Sequence, residues 1–457
     1  MKQIIIYTVI LITVFYTCAN KKNQLVENDG NISMTLIPPS PVSDQIILDI
    51  RAGLKNKTSK TQNLQVSFYV DKVSLKKKIH QTNITISPDS VAEVKFNWST
   101  KGQAGNRTII AEVRNQHHVS IIKRDIRILA SETRSTNRID GAFLGFYHWS
   151  EDEGKYWNNE LKRASDSQWR EMMDAQKSLG MNIIIIQDVF RNSRAYAHKH
   201  TMETTGYTGI PYYPSNLFQG KVDIVAKDPV EAVLAQADLN NMHVFVGIGM
   251  YAWFDFSSAS LEWHKMVADE IWKKYGHHPS FYGWYISEEQ DGGLGTIEDR
   301  ENIVVFFREF KKHIRKHTPD KPVMLATNSL NLKGAEHVYR QLLQHLDILC
   351  PFAFHRMPAT DLTGEAAAEL LQQLCDEAGS HLWLDLESFD FAENNALVPR
   401  SIDGILNDMH RFKNFEKIIC YQFPGLFSSP DMSFKPGGER TVKLYRDYKT
   451  YYGTIEK

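Results

Sequence analysis

Residues 166–188 read DSQWREMMDAQKSLGMNIIIIQD, an amphipathic stretch that leads past one glycine into four consecutive isoleucines. The first part predicts a helix from a cap near Asp166 to Leu179, the second an apolar strand from Asn182 to Gln187. The same alternation extends in both directions. Apolar strands are expected at Gly141–Tyr147, His243–Ile248, Phe281–Ile286, Val323–Ala326, Ile348–Phe354, Leu382–Leu386 and Lys417–Gln422. Helical patterns separate them, and a last one at Glu439–Tyr452 closes the set. Eight strand–helix units in roughly 310 residues have the size and rhythm of a (β/α)8, or TIM, barrel, so the fold class is α/β. A doubly wound open sheet would more often carry fewer units and a Gly-rich phosphate turn after its first strand, and the sequence has no such turn.

Ahead of the barrel the period changes to two. From about Ile32 to Leu129, segments such as Leu64–Val70 and Thr108–Val113 alternate apolar and polar residues between turn signals, which argues an antiparallel β-sandwich. Their order resembles the Ig-like modules that precede bacterial surface enzymes. A spacer or packing platform is the plainer role for it. The polar run Ser131–Asn137 marks the boundary. Before the sandwich, Lys2 and the apolar run Ile4–Phe15 lead into Tyr16-Thr17-Cys18. That run is too short to span a membrane and fits a signal-peptide core. A Cys at its end resembles the lipobox of bacterial lipoproteins, although Phe15 and Thr17 stand where Leu and a small residue are usual. The resemblance implies lipidation at Cys18 and an exported protein anchored to the bacterial outer membrane, facing either periplasm or surface. The expected organisation is a signal segment at 1–18, a tether at 19–31, the Ig-like sandwich at 32–130 and the barrel at 138–457.

The charge balance, 53 basic against 54 acidic side chains, lacks the basic footprint of a nucleic-acid binder. Cys350, Cys375 and Cys420 are odd in number, widely spaced and flanked by apolar residues, so they predict buried thiols and no metal site.

In TIM barrels chemistry collects at the C-terminal ends of the strands. Here those ends carry His148 and Trp149, Gln187 and Asp188, Trp253, Glu288 and Glu289, Asn328, Arg356, Glu387 and Tyr421. Only this rim is so polar and aromatic. Glycoside hydrolysis needs two carboxyl groups flanking the scissile bond, one a proton donor, the other a nucleophile or water-activating base. A Glu after the fourth strand and another after the seventh resembles the large TIM-barrel clan of retaining glycosidases. The resemblance implies that Glu288 or Glu289 is acid/base, that Glu387 is nucleophile, and that no cofactor is needed. The clan places Asn before its acid/base, whereas Glu288 precedes Glu289, so the strand-four choice stays open. Gly145–Trp149, Trp169–Gln187 and Phe281–Ile286 also resemble an uncharacterised family of barrel domains in lipoproteins of gut-type anaerobes, grouped with glycosidase barrels. Trp149 and Trp253 could stack on sugar faces, while His148, Asp188, Asn328 and Arg356 could bond hydroxyls or a sugar carboxylate. Tyr421 is a candidate to orient the nucleophile. The expected partner is an extracytoplasmic carbohydrate; a non-catalytic glycan-binding barrel is the alternative.

Overall fold

The computed structural model describes residues 24–27, 31–116, 118–192 and 209–456. Cys18, the signal segment and most of the expected tether therefore lie outside the described residues. Eight parallel strands close into a barrel: β1 Gly141–Leu144, β2 Ile183–Ile186, β3 His243–Gly247, β4 Phe281–Gln290, β5 Val323–Thr327, β6 Ile348–Leu349, β7 His381–Glu387 and β8 Lys417–Tyr421. β8 pairs back onto β1 through Gly141 with Ile419 and Ala142 with Cys420. The four isoleucines of β2 are all buried because both faces are covered. Ile183 and Ile185 point into the barrel with Phe143, Phe245 and Trp383, whereas Ile184 and Ile186 pack outward under the helices.

Helix starts follow side-chain chemistry. Ser165, not Asp166, caps the helix Asp166–Ser178, in a reciprocal capping box with Gln168. Asp228, Ser257, Thr296, Thr363 and Ser401 cap later helices by accepting a backbone N–H of the first turn, Thr296 in a second capping box with Asp299. Most strand ends fall within one residue of expectation, and three differ by three residues or more. β1 stops at Leu144 and β6 at Leu349, while β4 runs four residues past Ile286 to Gln290. That extension pairs with β5 only through Gln290 and Thr327, after a shift of register. Cys350, Cys375 and Cys420 are buried free thiols.

The N-terminal β region forms two sheets around its own core. One is antiparallel, Ile32–Ile37, Ile47–Asn56 and Ser90–Ser99. The larger one is built on Gln62–Val70, Lys78–Ile86, Gly105–Arg114 and His118–Leu129. Gln24–Glu27, expected in the tether, adds to its edge as a parallel strand on His118–Ile121. The smaller sheet covers the N-terminal end of the barrel. Ile37 joins the barrel's interior cluster, and Tyr282 Oη donates to the Leu36 carbonyl at 2.5 Å. Ser33 and Thr35 donate to Asp320, Arg51 reaches Asp347 at 2.7 Å, and Lys417 bonds the Pro41 carbonyl. With that end occupied, the opposite mouth is left for a site.

Candidate active site

Period-two alternation decides which side chains reach the mouth. Along β4, Tyr285, Ser287 and Glu289 line an open pocket at the barrel mouth, while Trp284 and Ile286 face the helices. Glu288 belongs to the second set. It is fully buried, and its Oε1 accepts backbone N–H groups of Tyr251 at 2.6 Å and Ala252 at 3.2 Å. Of the two strand-four candidates, Glu289 is the one that lines the pocket, and Glu288 pins the loop that carries Trp253. On β7 the same alternation puts Asp385 and Glu387 in the pocket together.

The two glutamates are held in opposite electrostatic states. Burial would raise the Glu387 carboxyl, but His355 and Arg356 outweigh it and lower its pKa below the ordinary 4.5. Arg356 donates from Nε at 2.8 Å and from Nη2 at 2.7 Å to Oε1, and His355 Nδ1 lies 3.1 Å from Oε2. Glu289 is pushed up to about 7 by burial, reinforced by the charges of Glu153 and Glu387 against the pull of Arg356. Burial also raises Glu153 to about 7, and lifts Asp385 well above its usual range with help from Glu387 and Glu289. Near neutral pH the pocket holds an ionised carboxylate, Glu387, facing carboxyls of Glu289 and Glu153 that are only partly deprotonated. This is the division of labour that acid–base chemistry with a nucleophile requires.

Most of the remaining candidates gather around this pair. His148 lines the pocket with its imidazole pushed down to about 3 by burial, Nε2 3.5 Å from Glu153. Trp149 and Trp253 meet edge to face at 5.0 Å on the same wall, packed on Met250. Arg356 is in place. Tyr421 lines the floor, but its hydroxyl lies 3.3 Å from Gln187 Nε2, and the partners of the Glu387 carboxylate are His355 and Arg356. Two candidates lie away from the lining. Asn328 Oδ1 accepts the amides of Gly292 and Leu330, which fixes the turns after β4 and β5. Asp188 is buried with Arg191 Nε 4.0 Å away, while its neighbour Gln187 takes the pocket position. Sequence reasoning missed Asp385, Glu153 and the aromatic pair Phe389 and Phe391, and placed Gln187 on the rim without giving it a role. Asp385 had a signal, since it stands two residues before Glu387 on one strand. Glu153 sits on a loop and Phe391 on a three-residue hairpin strand, too short for a period to mark it.

A family model described as "Domain of unknown function (DUF4434)" matches residues 139–433. No curated protein matches the sequence. Among solved structures, a candidate α-L-fucosidase from Bacteroides thetaiotaomicron aligns at 20% identity and TM-score 0.51, over 69% of this chain and 95% of that one. At that identity the likeness is one of fold, and it agrees with a TIM-like barrel. β-Glucuronidase 2 from Bacteroides uniformis aligns at 13% identity and TM-score 0.41, over 92% of this chain and 50% of that one. A β-galacturonidase from Eisenbergiella tayi aligns at 14% and 0.40, over 93% of this chain and 72% of that one.

Proposed function

The chain belongs to the DUF4434 family of unknown function, and we propose that its barrel is a retaining glycoside hydrolase acting on an extracytoplasmic glycan. The observation that carries this is the opposed pair in one pocket, Glu387 on β7 with its pKa drawn down by His355 and Arg356, and Glu289 on β4 with its pKa pushed up to about 7 by burial. In this reading Glu289 protonates the leaving oxygen while Glu387 attacks the anomeric carbon, giving a glycosyl ester. Glu289, now ionised, then takes a proton from water as that water opens the ester, which regenerates both groups. Trp149 and Trp253 offer apolar faces to the sugar's C–H groups, and His148 and Gln187 offer polar contacts to its hydroxyls. Export and lipidation at Cys18 belong to the same proposal. Loss of radiolabelled palmitate incorporation in Cys18→Ala would support that part, and unchanged labelling would sink it.

The catalytic reading is tested with purified protein and its Glu289→Gln and Glu387→Gln variants on a glycan panel. Turnover by the wild type is expected. A loss on the order of 10²–10⁴-fold is expected in Glu289→Gln, together with no measurable turnover in Glu387→Gln. The product anomer seen first by proton NMR should match the substrate's configuration. The second reading, a glycan-binding barrel without turnover, is favoured by one contact: Arg356 occupies Oε1 of the group assigned as nucleophile. Sugar binding that survives Glu387→Gln, with no turnover by any form, would establish that reading instead.

A further inference from the structure

Two segments at the rim of the pocket are joined across the position of β8. After β1 the chain forms the loop 148–157, and after β7 it forms a hairpin, Phe389–Phe391 paired with Leu397–Pro399. Leu397 donates its backbone N–H to the Glu153 carbonyl at 2.9 Å, and Asn394 Nδ2 donates to the Tyr156 hydroxyl at 3.2 Å. The bridge is braced from below. Asn158 exchanges hydrogen bonds with the backbone of His148 at 2.7 and 3.1 Å, and the Arg440 guanidinium lies 4.9 Å from the Tyr156 ring centre. Leu397 is fully buried beneath it. Among the described residues, Tyr421 alone represents β8 and the chain beyond it in the pocket lining. The wall there is supplied by the bridge, which turns the Glu153 carboxyl into the pocket and leaves Phe391 54% exposed at the lip.

The ring of eight strands gives this wall a chemical meaning. β8 lies directly across the ring from β4. A proton donor on β4 delivers to the leaving oxygen, so the leaving portion of the glycan extends past Glu289. The sugar attacked by Glu387 then lies inward, against the far wall. We infer that the bridge between the β1 loop and the β7 hairpin blocks any further ring on that side, so the site takes one terminal sugar and acts on chain ends, with Glu153 gripping the terminal hydroxyls. The inference rests on the glycosidase reading of the same pocket. Carboxyl groups suit such a grip, because each can hold two adjacent hydroxyls.

The test uses the full exported chain on p-nitrophenyl monosaccharide glycosides, then on reducing-end-labelled oligosaccharides of whichever sugar is released. The expected result is release from a monosaccharide glycoside and stepwise shortening of the oligomer by single sugars. Mid-length labelled fragments from the outset, with monosaccharide glycosides untouched, would overturn the chain-end inference and leave the glycosidase reading standing. No turnover of any glycan would overturn both. Glu153→Gln is close to isosteric, and its melting temperature is compared with wild type to show that it folds. It should raise KM about tenfold while kcat, read at about pH 5 where Glu289 keeps its proton in both proteins, changes little, as expected for loss of a hydrogen bond to bound sugar. An unchanged KM would remove Glu153 from the role.

Discussion

Glu289 and Glu387 have the same side chain, and the protein separates them by neighbours. Burial acts on both, but only Glu387 has His355 and Arg356 against its oxygens. Activity by the proposed route needs Glu387 ionised and Glu289 protonated. The rate should therefore climb as pH rises through the lowered pKa of Glu387, below about 4.5, and fall as pH rises through about 7, where Glu289 loses its proton. Initial rates across that range check this. Substituting neighbours should move the limbs in predictable directions. Arg356→Met removes the cation that lowers both Glu387 and Glu289, so it should shift the acid and the alkaline limb to higher pH together. Glu153→Gln removes a like charge from beside Glu289 and should shift the alkaline limb to lower pH. An alkaline limb that ignores Glu153→Gln would show that Glu289 is not the group titrating.

At the scale of elements, the barrel depends on places where strands approach too closely for a β-carbon. A Cβ on Gly141 would stand 2.1 Å from the Ile183 carbonyl oxygen, and one on Gly247 would stand 2.2 Å from that of Ile186. Both obstacles are backbone of the adjacent strand, which cannot move without opening the ring. Gly141→Ala and Gly247→Ala should each destabilise by about 2–3 kcal/mol or more in urea unfolding. Gly453, in the last helix with nothing within 4 Å, should respond oppositely, gaining about 0.5–1 kcal/mol as Ala. Losses no larger at Gly141 and Gly247 than at exposed positions would refute the close-approach argument. The strands themselves were legible in the sequence because apolar runs and caps are local signals. Their ends were less so: β6 ends as a regular strand at Leu349, although apolar residues continue to Phe354 and the N–H groups of Cys350 and Phe352 still reach the Leu325 and Thr327 carbonyls. Period two also held the answer at strand four, because Tyr285, Ser287 and Glu289 share a face that Glu288 does not. Asp385 was legible from Glu387 by the same rule. Glu153 and Phe391 became visible only when the β1 loop met the β7 hairpin, a contact between residues more than two hundred positions apart. Asn328 lies away from the lining because polar residues at strand ends also serve to satisfy turns, and Asp188 because its neighbour Gln187 takes the inward position.

In the whole molecule, the mouth that could do chemistry is opposite a base that is closed by charge. Arg51, from the smaller sheet, is buried between Asp49 at 2.6 Å and Asp347 at 2.7 Å, and Lys311 also reaches Asp347 at 2.7 Å. Beside them His381, at the start of β7, bonds Glu416 at 2.6 Å and has Asp49 3.9 Å away. Removing one member leaves the others buried and unpaired, so Arg51→Met should destabilise by about 3–5 kcal/mol. The two halves of this network titrate in opposite senses. Arg51 draws the Asp49 and Asp347 carboxyls far below their usual range despite burial, so their stabilisation is present above about pH 4 and lost as pH falls. Burial alone would lower His381, but Glu416 and Asp49 raise it to about 9 from an ordinary 6.5. A raised base stabilises fully below its unfolded pKa, so the His381 contribution is complete below about 6.5 and lost as pH rises to about 9. That loss is on the order of 3 kcal/mol. Urea unfolding from about pH 5 to 9.5 should show the wild type losing stability over this alkaline window, with His381→Gln less stable at pH 5 and much flatter above it. Parallel curves for the two proteins would mean that His381 keeps one charge state throughout. The base of the barrel would then be held by packing around Ile37 and the Tyr282–Leu36 hydrogen bond.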